Sequence, residues 1–149
     1  MMKSKRFEPI REIASSSADD LSRAMGEAAR KVAELERQFQ QLQSYRDEYV
    51  RKSGNGTATV DAVKLQNYRT FLDRLGDALR QQLTSLDLAR AEYEKRRLAW
   101  SAKRIEAESL GRAVERFRKE EQHAADRREQ REVDDAAMQV SFTARRELG

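Results

Sequence analysis

Apolar residues recur along this chain at alternating intervals of four and three, beginning Leu21, Met25, Ala28, Val32, Leu35, Phe39, Leu42 and running on to Arg46 and Tyr49. That spacing is the seam of a coiled coil. With Met25, Val32 and Phe39 at a, the d positions are Ala28, Leu35, Leu42 and Tyr49. Upstream, Ile10 and Ile13 sit one residue off this frame and read as a stutter. Pro9 suits the first turn of a helix, where its missing N–H costs nothing. The run Ser17, Asp19, Asp20 offers a later start.

A second, longer seam follows: Leu65, Tyr68, Leu72, Leu75, Leu79, Gln82, Leu86, Ala89, Tyr93, Arg96 and Trp100, then Lys103, Ala107, Leu110, Val114, Phe117, Glu121 and Ala124. Gly76 and Gly111 each cost this helix about 1 kcal/mol relative to Ala, too little to break it. Arg96 and Lys103 occupy d positions, where they thin the seam and set register at a cost in stability.

Between the seams lies SGNGTAT, residues 53–59. Gly54 and Gly56 supply backbone freedom around Asn55, and Thr57 or Thr59 can cap the next helix. So short a connection joins antiparallel neighbours. The predicted fold is all-α, an antiparallel two-helix coiled-coil hairpin forming one elongated domain over 1–149. Helix 1 spans about 8–52, the turn 53–59 and a longer helix 2 about 60–135, before a frayed C-terminal tail. Folding about the turn exhausts helix 1 near residues 100–105. Leu110, Val114 and Phe117 then keep the seam without an intramolecular partner. Either a partner protein covers them, the favoured reading, or the chain bends near Gly111 and packs back as a third helix.

Composition agrees with narrow seams rather than a globular core: 38% of residues are charged and 38% hydrophobic. Disorder is the competing reading of such charge, but here the apolar residues are patterned. Thirty basic residues against 26 acidic ones make a mixed surface, so nucleic-acid binding is not indicated. There is no cysteine, which suits a reducing compartment, and no signal peptide or membrane-length apolar run. The chemistry of an enzyme is missing. His123 stands alone in the charged EEQHAADRR surface, without the companions a metal needs. The pairs Glu120–Glu121 and Asp134–Asp135 have no apolar pocket to tune them. The Gly-Asn-Gly turn lacks the Lys-Ser or Lys-Thr of a phosphate loop. We expect no catalytic residue, no cofactor and no metal. The basic KRRLAWSAKR cluster, 95–104, reads as a solvated or protein-facing stripe ahead of a nucleic-acid track.

Four aromatics surround the turn. In the two frames Gln38 and Tyr45 fall at g on helix 1, and Phe71 and Ala78 fall at g on helix 2. Gln38, Leu42, Tyr45 and Tyr49 form one g/d stripe; Phe71, Leu75, Ala78 and Gln82 form the other. Aromatics at g can simply shield the seam. Positions g usually carry Glu or Lys, however, so the favoured reading is a docking patch.

The order Tyr45-x-x-x-Tyr49, Gly54-Asn55-Gly56, Asn67-Tyr68-x-x-Phe71, with the late EAESLGRAVERF helix, resembles the FliJ family of flagellar type III protein export. The resemblance implies a hairpin similar to the central stalk of rotary ATPases. It also implies a monomer when free, without membrane insertion, at the cytoplasmic face of the inner membrane. Implied partners are the hexameric flagellar export ATPase and its regulatory subunit, the cytoplasmic domain of the membrane export gate, and export chaperones that the protein helps recycle. The family's gate-binding surface maps onto Gln38, Leu42, Tyr45, Tyr49, Phe71, Leu75, Ala78 and Gln82. At Gln82 some members carry His. Alternatives are the equivalent stalk of a virulence secretion system and a structural or nucleoid-associated coiled coil.

Overall fold

The computed structural model describes residues 2–54 and 61–148. It contains two helices packed against each other, α1 (Lys3–Gly54) and α2 (Ala62–Leu148), with no strand among the described residues. This is the helical hairpin expected from the two seams, and α2 is the longer helix. α2 passes through Gly76 and Gly111 unbroken. The expected turn residues 55–59 and the caps Thr57 and Thr59 lie outside the described residues. Ser53 and Gly54 belong to α1.

The cap at the start of α2 is Asp61. Its carboxylate Oδ1 accepts the Lys64 N–H at 2.7 Å while its carbonyl accepts the Leu65 N–H at 3.1 Å, the geometry of an N-cap residue. Both helices carry one-turn ion pairs on their outer faces, among them Lys52–Glu48 at 3.0 Å and Arg97–Glu94 at 2.7 Å. Such exposed, solvent-screened pairs contribute little to stability.

Two compact units divide the chain. The first combines residues 19–102. Here the seam buries Ala28 on α1 and the row Leu75, Leu79, Leu86 and Ala89 on α2. Recorded pairs run antiparallel, Tyr49 with Phe71, Gln38 with Gln82, and Arg96 with Ala24. Arg96 spans the seam from its d position, its Nη1 donating to the Ala24 carbonyl at 3.0 Å and its Nε to Glu92 at 3.0 Å. Glu36 and Arg90 join the helices by a further ion pair at 3.0 Å.

The second unit combines residues 1–18 with 103–149, and here three expectations fail. α1 begins at Lys3, so Pro9 lies inside the helix, not in its first turn. Its missing N–H leaves the Lys5 carbonyl without a helical partner, a loss water makes good because Pro9 is exposed. No stutter occurs. The frame carries on through Ser4, Phe7, Arg11, Ala14 and Ala18; Ser4, Ala14 and Ala18 are buried, whereas Ile10 and Ile13 are 49% and 69% exposed. Bulk is a poor guide here, because Ala14 and Ala18 rather than Ile10 and Ile13 lie on the buried side. Finally, Leu110, Val114 and Phe117 are no overhang. Val114 is fully buried, Phe117 packs on Phe7 in a tilted contact with ring centroids 5.2 Å apart, and Arg11 lies over Gly111.

The first turn of α1 explains why the helix can begin so early. Met2 has no side chain able to cap it. Glu121 on α2 does so instead, its carboxylate accepting the Ser4 N–H at 3.0 Å and the Ser4 hydroxyl at 2.5 Å. Those bonds hold the Glu121 carboxyl below the usual range, the hydroxyl contributing most. Nearby Glu8 bridges Arg11 at 2.9 Å and Arg118 at 3.1 Å. After Ala124, α2 continues alone. Residues 125–148 are exposed on every face yet helical to Leu148, well past the expected end at 135.

Candidate functional site

The turn-proximal end of the 19–102 unit carries the aromatic site. On α1, Leu42, Tyr45 and Tyr49 are spaced at three and four residues, which places them on one face one above another. On α2, Tyr68, Phe71 and Leu75 repeat that spacing. Packing of the helices brings the two rows together. Tyr49 lies at the centre, its ring stacked on Tyr68 at 5.5 Å and 19°, and against Phe71 at 4.4 Å and 55°. Tyr45 meets Phe71 edge-on at 6.3 Å and 76°. Such tilted and T-shaped contacts are favoured by the ring quadrupole and add about 0.5–1.5 kcal/mol per pair beyond area burial.

The cluster divides by exposure. Tyr49, Tyr68 and Phe71 are half-buried, so the g position of Phe71 does shield the seam. Tyr45 is 52% exposed. Leu42 and Ala78 are half-buried, and Leu75 is buried within the seam. Leu75 therefore shapes the patch from beneath.

The far end of the stripe is polar and ordered. Gln82 donates its amide to Gln38 Oε1 at 3.0 Å and, at 3.5 Å, to the Leu35 carbonyl. Gln38 in turn donates to Glu34 at 3.2 Å. Glu34 is also bonded by Arg37, which holds its carboxyl below the usual range. Of the eight residues drawn from the sequence, Tyr45, Tyr49 and Phe71 meet at one end and Gln38 and Gln82 at the other, while Leu75 is buried in the seam. Tyr68 joins the aromatic cluster although it is not among the eight. Its d position assigned it to the seam, and only the packed structure shows it stacking under Tyr49.

Elsewhere the chemistry is sparse. Among the described residues no cluster of His, Cys, Asp and Glu could hold a metal, and His123 is exposed. The basic stretch 95–104 is largely neutralised within α2, through Arg96–Glu92 at 3.0 Å, Arg97–Glu94, Lys103–Glu106 at 3.0 Å and Arg104–Glu108 at 3.0 Å. Charges already paired one turn away release few counterions to a polyanion. No helix of the described residues is long and apolar enough to cross a membrane.

A family model described as flagellar FliJ protein matches residues 2–146. The chain belongs to the FliJ family. Neither curated proteins nor solved structures give a match. FliJ membership makes this a flagellar, export-associated protein and accounts for the all-helical hairpin.

Proposed function

We propose that this FliJ protein is the central stalk of the flagellar export apparatus. It binds the hexameric export ATPase and its regulatory subunit toward the end bearing the chain termini, promotes ring assembly and couples the ring to the membrane export gate. It works at the cytoplasmic face of the inner membrane and helps recycle export chaperones. The gate is engaged through Gln38, Leu42, Tyr45, Tyr49, Phe71, Leu75, Ala78 and Gln82. Tyr45 is the leading contact, since it is the aromatic of the cluster with most surface still open. The observation that carries this reading is the half-exposed Tyr45 standing on a preorganised aromatic platform, the arrangement from which interface anchors are built.

The test pairs stability with binding. Tyr45→Ala removes one edge contact from a half-exposed ring and should cost folding about 1 kcal/mol or less. Its affinity for the gate's cytoplasmic domain should fall about thirtyfold, equivalent to about 2 kcal/mol for a central anchor. Phe71→Ala should lose both stability and binding, because Phe71 also supports Tyr49. Co-sedimentation with the ATPase should survive Tyr45→Ala. A Tyr45→Ala variant that melts far lower yet binds the gate normally would make the aromatics packing residues and sink the proposal.

A further inference from the structure

The exposed end of α2 carries a pattern that nothing within the chain uses. The seam frame that holds Val114 and Phe117 continues past Ala124 through Arg128, Arg131 and Asp135 to Met138, Phe142 and Arg145. Met138 and Phe142 are 72% and 68% exposed. α1 begins opposite Glu121, so it cannot cover them. Among the described residues Asp135, Arg145 and Arg146 enter no ion pair. The segment therefore has a short apolar seam with acid on its N-terminal side and base on its C-terminal side.

We propose that residues 132–148 pair antiparallel with the same segment of a second copy of this chain. Core layers of an antiparallel coil set an a residue of one helix against a d residue of the other. In the register that sets Met138 against Phe142 of the second copy, two-fold symmetry repeats that layer. Asp135 then falls opposite Arg145 of the second copy, again twice. Two apolar layers are thus flanked by two oppositely charged ones, with Glu132 beside Arg146 of the second copy at the flanking e positions. Parallel pairing would stack Asp135 on Asp135, Arg145 on Arg145 and Arg131 on Arg131, each repulsive in a seam. The charge order therefore selects both the partner and its direction. Two apolar layers bury less than the roughly 1,200–2,000 Å² of stable interfaces, so the pairing is weak and the chain is a monomer when dilute, as the sequence implies.

Sedimentation equilibrium of the full chain tests this. The weight-average mass should climb from monomer toward dimer between about 10 µM and 1 mM, the range of an association this small. Asp135→Arg and Arg145→Asp should each weaken association at least tenfold, with helicity by circular dichroism unchanged. The double variant D135R/R145D, which restores opposite charges in the layer, should recover it. Because the chain has no cysteine, single nitroxides can report register. Labels at Ser141→Cys should lie within about 20 Å of each other and those at Gln130→Cys about 30 Å apart, from the 1.5 Å rise per residue. A chain monomeric at the highest concentration would overturn the proposal and assign the exposed seam to a different partner. Association indifferent to the single reversals, or short distances at both label sites, would equally overturn it.

Discussion

Val114→Ala puts the corrected account of the terminal unit to a quantitative test. Val114 is fully buried, whereas Val133, on the same helix beyond the end of α1, is 57% exposed. Both substitutions remove the same two methyl-sized groups, and both relieve the β-branched penalty of valine in a helix, a gain of about 0.5 kcal/mol. Only at 114 are buried methyl groups lost and a gap left in the helix interface. At about 0.8 kcal/mol per buried carbon the transfer loss is about 1.6 kcal/mol. A cavity contribution adds to it, held small because a two-helix pair can close inward. Subtracting the propensity gain leaves a net destabilisation of about 1–2 kcal/mol at 114 and a neutral or slightly stabilising change at 133. The readout is amide hydrogen exchange across residues 3–18 and 107–121, which reports local opening. Protection there should drop about five- to thirtyfold in Val114→Ala and stay unchanged in Val133→Ala. Equal effects at the two sites would refute the argument that residues 3–18 cover this seam.

Other consequences follow from named contacts. Glu121 has its folded pKa depressed by Ser4, so its contribution is fully present above the unfolded value and lost as pH falls through the folded one. Amides at the start of α1 should therefore exchange faster on acidification below the usual carboxylate range, and Glu121→Gln should flatten that dependence; an unchanged profile would remove the capping role. Asp61→Ala should destabilise the start of α2 by about 1 kcal/mol, and Asp61→Asn should largely preserve it, as read by urea melts. Residues 126–148 of the dilute chain, helical but packed on nothing, should exchange faster than any other part of α2; protection there equal to that of residues 75–89 would contradict the exposed surface seen for this segment.

Much of this architecture was written in local pattern. Leu75, Leu79, Leu86 and Ala89 are buried as the heptad frame requires, because an apolar stripe on a helix has a single orientation that removes it from water. The meeting of the turn-flanking aromatics follows the same logic, since Tyr45 and Tyr49 on one helix and Tyr68 and Phe71 on the other recur at helical spacing. The path through the first twenty residues was not legible. Isoleucine outweighs alanine in any reading by hydrophobicity, yet the buried side there carries Ala14 and Ala18, and Ile10 and Ile13 are left outside. The start of α1 escaped for a related reason. Its cap is Glu121, more than a hundred residues away along the chain, and no local signal at Met2 or Lys3 announces it.

Helix and the position of the aromatic rows depend on periodicity, an interaction each residue has with neighbours three and four away, and antiparallel order on the short connection between the two seams. Those were decided by the order of amino acids alone. Which residues are left without a partner depends instead on where one helix ends against the other. That end is set by the Ser4–Glu121 bonds and the Phe7–Phe117 contact, which exist only once the helices have met. Packing thus moved the unpaired seam from Val114 to Met138 and Phe142, because burial is a property of two surfaces together and the chain's own pattern describes only one of them at a time.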